Sequence, residues 1–315
     1  MNPKNILLID TVHPSFMKGI EELGYSFTDG TAWSNDKILE ELHNYTGILV
    51  RSKITLDKNF FDKAPNLKFI ARAGAGIEHI DLSEANKRNI AIITAPEGNR
   101  DAVGEHAIGI LLSLMNNISK ADKEIREGKW IREENRGYEI QGKTIGIIGY
   151  GNMGSAFVQR LSGFDCNVIA FDKYKKGFSD KNVKEVSLQT LFDETDILSL
   201  HIPLTEETNY MVNDDFINSF AKSIFIINTS RGKIINTKDL VKNLKSGKIR
   251  GAALDVLEYE NQSFESKGEI TDKDTYDYLI KSNKVILTPH IAGWTFESYK
   301  KIAEVLVAKI AKLNL

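Results

Sequence analysis

A chain of 315 residues is long enough for two domains of ordinary size, and its 42% hydrophobic and 27% charged residues are those of a soluble globular protein. A net charge of −2 gives no reason to expect nucleic acid or an acidic membrane surface as partner. The single cysteine, Cys166, excludes an intramolecular disulfide framework and is poor material for a metal cluster, so no metal is expected.

The apolar run after Asn5 is too short for a secretion signal, and no run reaches a membrane span, so a reducing cytoplasm is the expected compartment. That run, Asn5–Asp10, predicts a buried strand, and Pro14–Leu23 has helical spacing up to Gly24. Further strands are expected at Tyr25–Thr28, Gly47–Val50, Leu67–Ala71 and Ile90–Thr94, with helices at Asp36–Leu42, Asp57–Ala64 and Leu82–Arg88 between them. Such alternation implies right-handed βαβ units and a parallel sheet covered on both faces, so residues 1–99 read as one α/β domain. Asp101–Ile125 is mostly helical with an apolar side, and Gly128–Gly142 reads as an extended arm carrying Trp130 and Tyr138.

A second α/β series starts at Lys143. Strands are expected at Ile145–Gly149, Val168–Phe171, Val183–Val186, Ile197–Leu200, Ser223–Asn228, Gly251–Leu254 and Lys284–Leu287. Helices follow at Ser155–Leu161, Ser187–Phe192 and Thr237–Leu244. Asn261–Asn283 is a polar excursion with one helical turn near Tyr276–Ile280, and Phe296–Leu313 is an amphipathic helix able to return and cover the first domain.

The first strand of this series runs into Gly149-Tyr150-Gly151-Asn152-Met153-Gly154 and then into a helix. A strand that turns on glycines into a helix presents bare N–H groups to a pyrophosphate. The first glycine makes the turn, the second lets phosphate approach the main chain, and the third lets helix and strand pack closely. The next strand ends in Asp172, 18 residues past Gly154, where a carboxylate can accept from the adenosine ribose hydroxyls. Three polar clusters also lie at expected strand ends. Asn228-Thr229-Ser230-Arg231-Gly232 offers a guanidinium that can hold a carboxylate through two parallel bonds. Asp255-Val256-Leu257-Glu258-Tyr259-Glu260 offers acids, and Thr288-Pro289-His290 offers the side chain best suited to proton transfer near neutral pH.

Taken with His201-Ile202-Pro203-Leu204-Thr205 and Gly251-Ala252-Ala253-Leu254-Asp255-Val256, these motifs resemble the D-isomer-specific 2-hydroxyacid dehydrogenase family over nearly the whole chain and in the family's order. The resemblance implies two doubly wound parallel-sheet domains with the active-site cleft between them. A flavodoxin-like substrate domain (1–99, completed by 291–315) would carry an inserted Rossmann NAD-binding domain (100–290). It implies Arg231 as the anchor of the substrate carboxylate, His290 as the general acid–base, and Glu260 as the acid that stabilises the imidazolium. Glu260 is preferred to Glu258 because it is the sixth residue of the family's Asp-Val-aromatic-x-x-Glu-Pro pattern, although Leu257 and Asn261 depart from that pattern. It implies NAD contacts at Gly149, Gly151, Asn152, Met153, Gly154, Asp172, His201, Pro203, Thr229, Asp255, His290 and Gly293. Asp172 favours NAD over NADP, with Lys173, Lys175 and Lys176 as the counterweight.

For the substrate, Arg51 and Arg72 each end a strand of the first domain, and with Ala73, Gly74 and Asn99 they look like the phosphoglycerate dehydrogenase branch. Two extra cations suit a doubly charged substrate, so 3-phosphoglycerate/3-phosphohydroxypyruvate is expected, with the substrate carboxylate also held by N–H groups near Ala73–Gly76. The alternatives are a glyoxylate/hydroxypyruvate or D-lactate-type reductase and an NAD(H)-sensing binding protein of corepressor type. The family pattern also implies a homodimer through the 101–125 helix and the 128–142 arm. Feedback by serine through a C-terminal regulatory domain is not expected.

Overall fold

The computed structural model describes residues 4–261 and 268–313. The chain divides into two compact units, Met1–Asn99 with Trp294–Leu315, and Arg100–Gly293. The return to the first unit falls at Trp294 rather than at residue 291. Ile291 and Ala292 stay with the second unit because their N–H groups bond the Asp255 carboxylate.

The first unit runs β1 (Asn5–Leu8), α1 (Pro14–Glu22), β2 (Ser26–Asp29), α2 (Asn35–Glu41), β3 (Gly47–Val50), α3 (Lys58–Asp62), β4 (Phe69–Arg72), α4 (Leu82–Lys87) and β5 (Ala91–Thr94). The sheet is parallel, in the order β2-β1-β3-β4-β5. Side chains alternate across its strands and both faces are apolar, the pattern of a doubly covered sheet. Leu7 and Ile9 pack with Ile48, Val50 and Ile70 on one face, and Ile6 and Leu8 pack with Leu49, Phe69 and Ala71 on the other. That second face is closed by Phe16 and Ile20 of α1 and by Ala303, Leu306 and Ile310 of the last helix, Phe296–Ile310.

Helix α5 (Pro96–Met115) starts five residues earlier than the apolar pattern suggests, because a proline fits the first turn of a helix, where its missing N–H costs nothing. It stops before Asn117, whose φ of 53° is left-handed, and α6 (Ile118–Arg126) begins anew. The expected arm is anchored to its own unit. Tyr138 N–H donates to the Met115 carbonyl, and the Arg250 guanidinium lies 4.2 Å over the Tyr138 ring.

The second unit continues with β6 (Thr144–Ile148), α7 (Asn152–Leu161), β7 (Asn167–Phe171), β8 (Lys184–Glu185), α8 (Leu188–Glu194) and β9 (Ile197–Leu200). Then come α9 (Asp214–Asn218), β10 (Ile224–Asn228), α10 (Thr237–Ser246), β11 (Ile249–Leu254), α11 (Lys273–Lys281) and β12 (Val285–Leu287), before α12 (Phe296–Ile310). Part of the expected excursion at Asn261–Asn283 falls on residues 262–267, outside the described residues, and its one helical turn is the nine-residue α11. Seven parallel strands lie in the order β12-β11-β10-β9-β6-β7-β8. Ala107, Leu111 and Phe157 cover one face, and Leu240, Leu244 and Leu279 cover the other. Strand β6 pairs with both β7 and β9, so the strand order reverses there, and ligands of open α/β sheets bind beyond the carboxyl ends at such a reversal. Among the described residues no helix is long and apolar enough to cross a membrane.

Candidate active site

Gly149 ends β6 with a φ of 92°, and a Cβ there would lie 2.4 Å from the carbonyl oxygen of His201, which follows β9. Only glycine lets the two strand ends meet at the reversal. A Cβ on Gly154 would sit 2.1 Å from the Gly149 carbonyl oxygen, so α7 packs directly on the turn. Gly151 differs, because a Cβ there meets no atom within 4 Å. Helices α8 to α12 are each capped by a side chain, from Ser187, Asn213, Asn236, Asp272 and Thr295. Helix α7 begins at Gly151 with no side-chain cap, so its first amides face open space with the positive end of the helix dipole behind them. Asn152 and Met153 are its first two helical residues.

The contrast gives a prediction. Gly151→Ala should leave Tm unchanged and weaken NADH in a fluorescence titration, whereas Gly154→Ala should cost about 1–3 kcal/mol of stability through overpacking. Equal Tm losses in the two variants would contradict it.

Asp172 follows β7 and does more than await a ribose. Its carboxylate accepts from the N–H groups of Tyr150 (2.8 Å), Tyr174 (2.9 Å) and Lys175 (2.8 Å). Partial burial pushes its carboxyl up, but those three bonds outweigh burial and hold it below the ordinary carboxylate range. The lysines beside it are committed elsewhere. Lys173 pairs with Glu207, Lys175 donates to the Tyr150 carbonyl, and Lys176 donates to the Asp172 carbonyl. An anion held in place, flanked by occupied cations, suits a ribose diol and opposes a 2′-phosphate. Two further polar atoms near these strand ends are buried without a protein partner, Nδ1 of His201 and Oγ1 of Thr229. Ser199 holds His201 through Nε2 at 2.8 Å, and burial pushes the ring down to about 4, so it is neutral at pH 7. Pro203 is exposed, with its carbonyl accepting from Thr208.

Three loops at the carboxyl ends of β10, β11 and β12 carry the candidate site residues Arg231, Glu260 and His290. After β10, Asn228 closes a turn by donating to the Arg231 carbonyl and accepting from Ser230 N–H, while the Arg231 guanidinium donates to the Ser230 carbonyl at 2.6 Å. A Cβ on Gly232 would lie 1.9 Å from the Leu257 carbonyl carbon, so this turn is pressed against the loop after β11. In that loop Glu260 accepts from Leu257 N–H at 2.7 Å through Oε1 and meets His290 Nδ1 at 2.9 Å through Oε2. A carboxylate can only accept, so Nδ1 carries the hydrogen and Nε2 is the nitrogen that Glu260 leaves for another partner.

His290 has a φ of 56°, which is uncommon for a residue with a side chain and costs on the order of 1–3 kcal/mol. Asp255 holds it there. His290 N–H donates to the Asp255 carbonyl (2.8 Å), and the Asp255 carboxylate accepts from Ile291 and Ala292 N–H and from the Thr288 hydroxyl. Asp255 was expected as a cofactor contact, but its fully buried carboxylate is taken up by protein donors that shape the His290 loop. Gly293 closes that loop, half-buried.

In the first unit, the strand order reverses at β1 and β3, and the crevice there is filled by Asp10, whose carboxylate accepts from Arg51, Ser52 and Lys53 N–H. The Arg51 guanidinium stacks 4.7 Å over Trp294. Arg72 is buried, donates to the Ala73 carbonyl, and lies where a Cβ on Gly74 would be. Burial and the Arg72 charge push His79 down to about 4, so the nearby imidazole adds no second charge at pH 7. The N–H groups expected to hold a substrate carboxylate need one correction. Those of Ala73 and Gly74 bond the Val50 and Arg72 carbonyls, which leaves Ala75 and Gly76 as the candidate amide donors. Asn99 has a buried Oδ1 with no protein partner.

Sequence reasoning did not single out His106, which reaches Thr288 at 3.0 Å, or Ser199 as the holder of His201. The His106 partnership spans 182 positions and depends on the fold, whereas Ser199 and His201 stand two residues apart at the end of β9, a local spacing that could have shown it.

The glycine turn and the anion after β7 define a dinucleotide-binding domain, with an acid–imidazole pair on the loops beyond its strand ends. The family model for the NAD-binding domain of D-isomer specific 2-hydroxyacid dehydrogenases matches residues 108–292. The chain belongs to that family. It is 31% identical to a D-3-phosphoglycerate dehydrogenase of Archaeoglobus fulgidus over 98% of this chain and 57% of the relative, so it spans little more than half of that protein. It is 36% identical to a glyoxylate reductase of Thermofilum pendens over 86% of this chain and 79% of the relative. A D-lactate dehydrogenase of Aquifex aeolicus, solved with NAD and lactic acid, superposes with a TM-score of 0.82 at 28% identity, covering 98% of this chain and 94% of that one.

Proposed function

We propose that the chain interconverts a D-2-hydroxy acid and its 2-oxo acid, with 3-phosphoglycerate and 3-phosphohydroxypyruvate as the favoured pair. The observation that carries this reading is the His290–Glu260 pair at 2.9 Å, on a loop packed against the Arg231 turn in an NAD-binding domain. Bound NADH supplies the hydride that reduces the carbonyl carbon. His290 gives its Nε2 proton to the carbonyl oxygen as charge gathers there, and Glu260 stabilises the cation before transfer and holds the neutral ring afterwards. Arg231 grips the substrate carboxylate and polarises the carbonyl. In oxidation His290 takes the hydroxyl proton along the same line.

Preference for the phosphorylated pair is supported by Arg51 and Arg72, two cations at strand ends of the first unit, and would place the enzyme in serine biosynthesis. The proteins named above divide among phosphoglycerate dehydrogenase, glyoxylate reductase and D-lactate dehydrogenase. Arg51→Ala and Arg72→Ala should each raise KM for phosphohydroxypyruvate about tenfold or more, the effect of losing one charge-assisted contact of about 1.5–3 kcal/mol. KM for hydroxypyruvate should change little. Equal effects on the two substrates would favour glyoxylate or hydroxypyruvate instead. The reading includes a cytoplasmic homodimer, supported by the exposed Ile118, Ile125 and Trp130 on and after α6.

A further inference from the structure

We infer that His106, on α5, is a positioning residue for the His290 loop, acting through Thr288 and Asp255. Its consequence for turnover rests on the dehydrogenase reading above. His106 Nε2 lies 3.0 Å from Thr288 Oγ1 and 3.5 Å from Asp255 Oδ1. The Thr288 hydroxyl donates its hydrogen to Asp255 Oδ1 at 2.5 Å, so its oxygen must accept, and His106 Nε2 carries the hydrogen it accepts. The result is a directed chain from imidazole to hydroxyl to carboxylate, across residues that are 182 positions apart.

The carboxylate at its end is fully buried, and a buried carboxylate is costly unless every donor is present. The direct donors to Asp255 are Thr288 and the N–H groups of Ile291 and Ala292, and His106 acts on it through Thr288. Two of those three belong to the residues directly after His290, and the Asp255 carbonyl takes the His290 N–H itself. His290 therefore keeps its left-handed conformation, and its alignment on Glu260, through the anchor that His106 completes. The His106 side chain is 20% exposed, so alanine removes packing as well as a hydrogen bond, and glutamine, which keeps a donor and most of the volume, separates the two.

The test uses the apo protein for position and the NADH-dependent reaction for consequence. Imidazole ¹⁵N NMR follows the Nδ1–H of His290, identified by its loss in His290→Ala. In His106→Ala that resonance should broaden or vanish. kcat should fall about 10–100-fold, as for loss of an outer-shell partner, with the Kd for NADH unchanged. His106→Gln, which keeps an N–H donor, should restore both. Thr288→Val should reproduce the loss, and the double variant should add nothing to it. An unchanged His290 resonance and kcat in His106→Ala would overturn the inference, as would a loss shared by NADH affinity and Tm that glutamine does not rescue. A wild-type protein that turns over no 2-oxo acid would instead overturn the function proposed above, while the resonance still decides the positioning role.

Discussion

Replacing His290 by alanine should lower kcat by about 10²–10⁴-fold, the usual worth of a general acid–base, far more than it weakens NADH through the loss of one cofactor contact. The orientation of the imidazole is fixed from two sides. Glu260 holds Nδ1, and Asp255 holds the backbone on either side of the ring. Alanine removes the proton donor without disturbing those backbone bonds, so the protein should fold and bind cofactor. Glu260→Gln should have a smaller effect of the same kind, because an amide still bonds Nδ1 but cannot stabilise the imidazolium. Steady-state kinetics with NADH and a 2-oxo acid, beside a Tm measurement, would check both. Near-wild-type turnover by His290→Ala would remove it from the chemistry.

The second large effect is expected from a residue with no side chain. Gly232→Ala would place a Cβ 1.9 Å from the Leu257 carbonyl carbon, 2.0 Å from its oxygen and 2.4 Å from Glu258 N. All three are backbone atoms, so no rotamer change relieves the contact and one of the two loops must move. Arg231 precedes the glycine and Glu260 follows Leu257 by three residues, so the displacement separates Arg231 from the Glu260–His290 pair. A misplacement of about 1 Å can cost on the order of 10²-fold in rate, and the overpacking itself about 1–3 kcal/mol. Gly163→Ala is the control, since a Cβ there meets nothing within 4 Å. If Gly232→Ala kept both Tm and kcat, the loops would not be coupled as described.

Much of this is legible in the sequence. The two series of strands and helices were readable because each strand is a short apolar run covered on both faces, as in Ile224–Asn228, all of whose residues are buried. The glycine turn was readable because its backbone demands leave few other residues possible. Element ends were less so: α5 begins at Pro96, and the short α9 was missed, since five residues carry too little periodicity to register. At the site, the residue types with their own chemistry stood out, and the way they are held did not. The Asp255 carboxylate looked like one acid among three. Its role depends on Thr288, Ile291, Ala292 and His106, which meet it only because β11 and β12 are neighbours and α5 packs on their sheet. The same holds for Ala73 and Gly74, whose amides were expected to face a ligand but are used within the sheet's own turn.

The most direct test of the account is to mix the wild-type protein with NADH and a panel of 2-oxo acids (phosphohydroxypyruvate, hydroxypyruvate, glyoxylate and pyruvate) and follow NADH spectrophotometrically. The account predicts NADH consumption matched one to one by the D-2-hydroxy acid, fastest relative to KM with phosphohydroxypyruvate. Tight NADH binding with no consumption for any 2-oxo acid would contradict it and leave a nucleotide-binding protein built on the same fold.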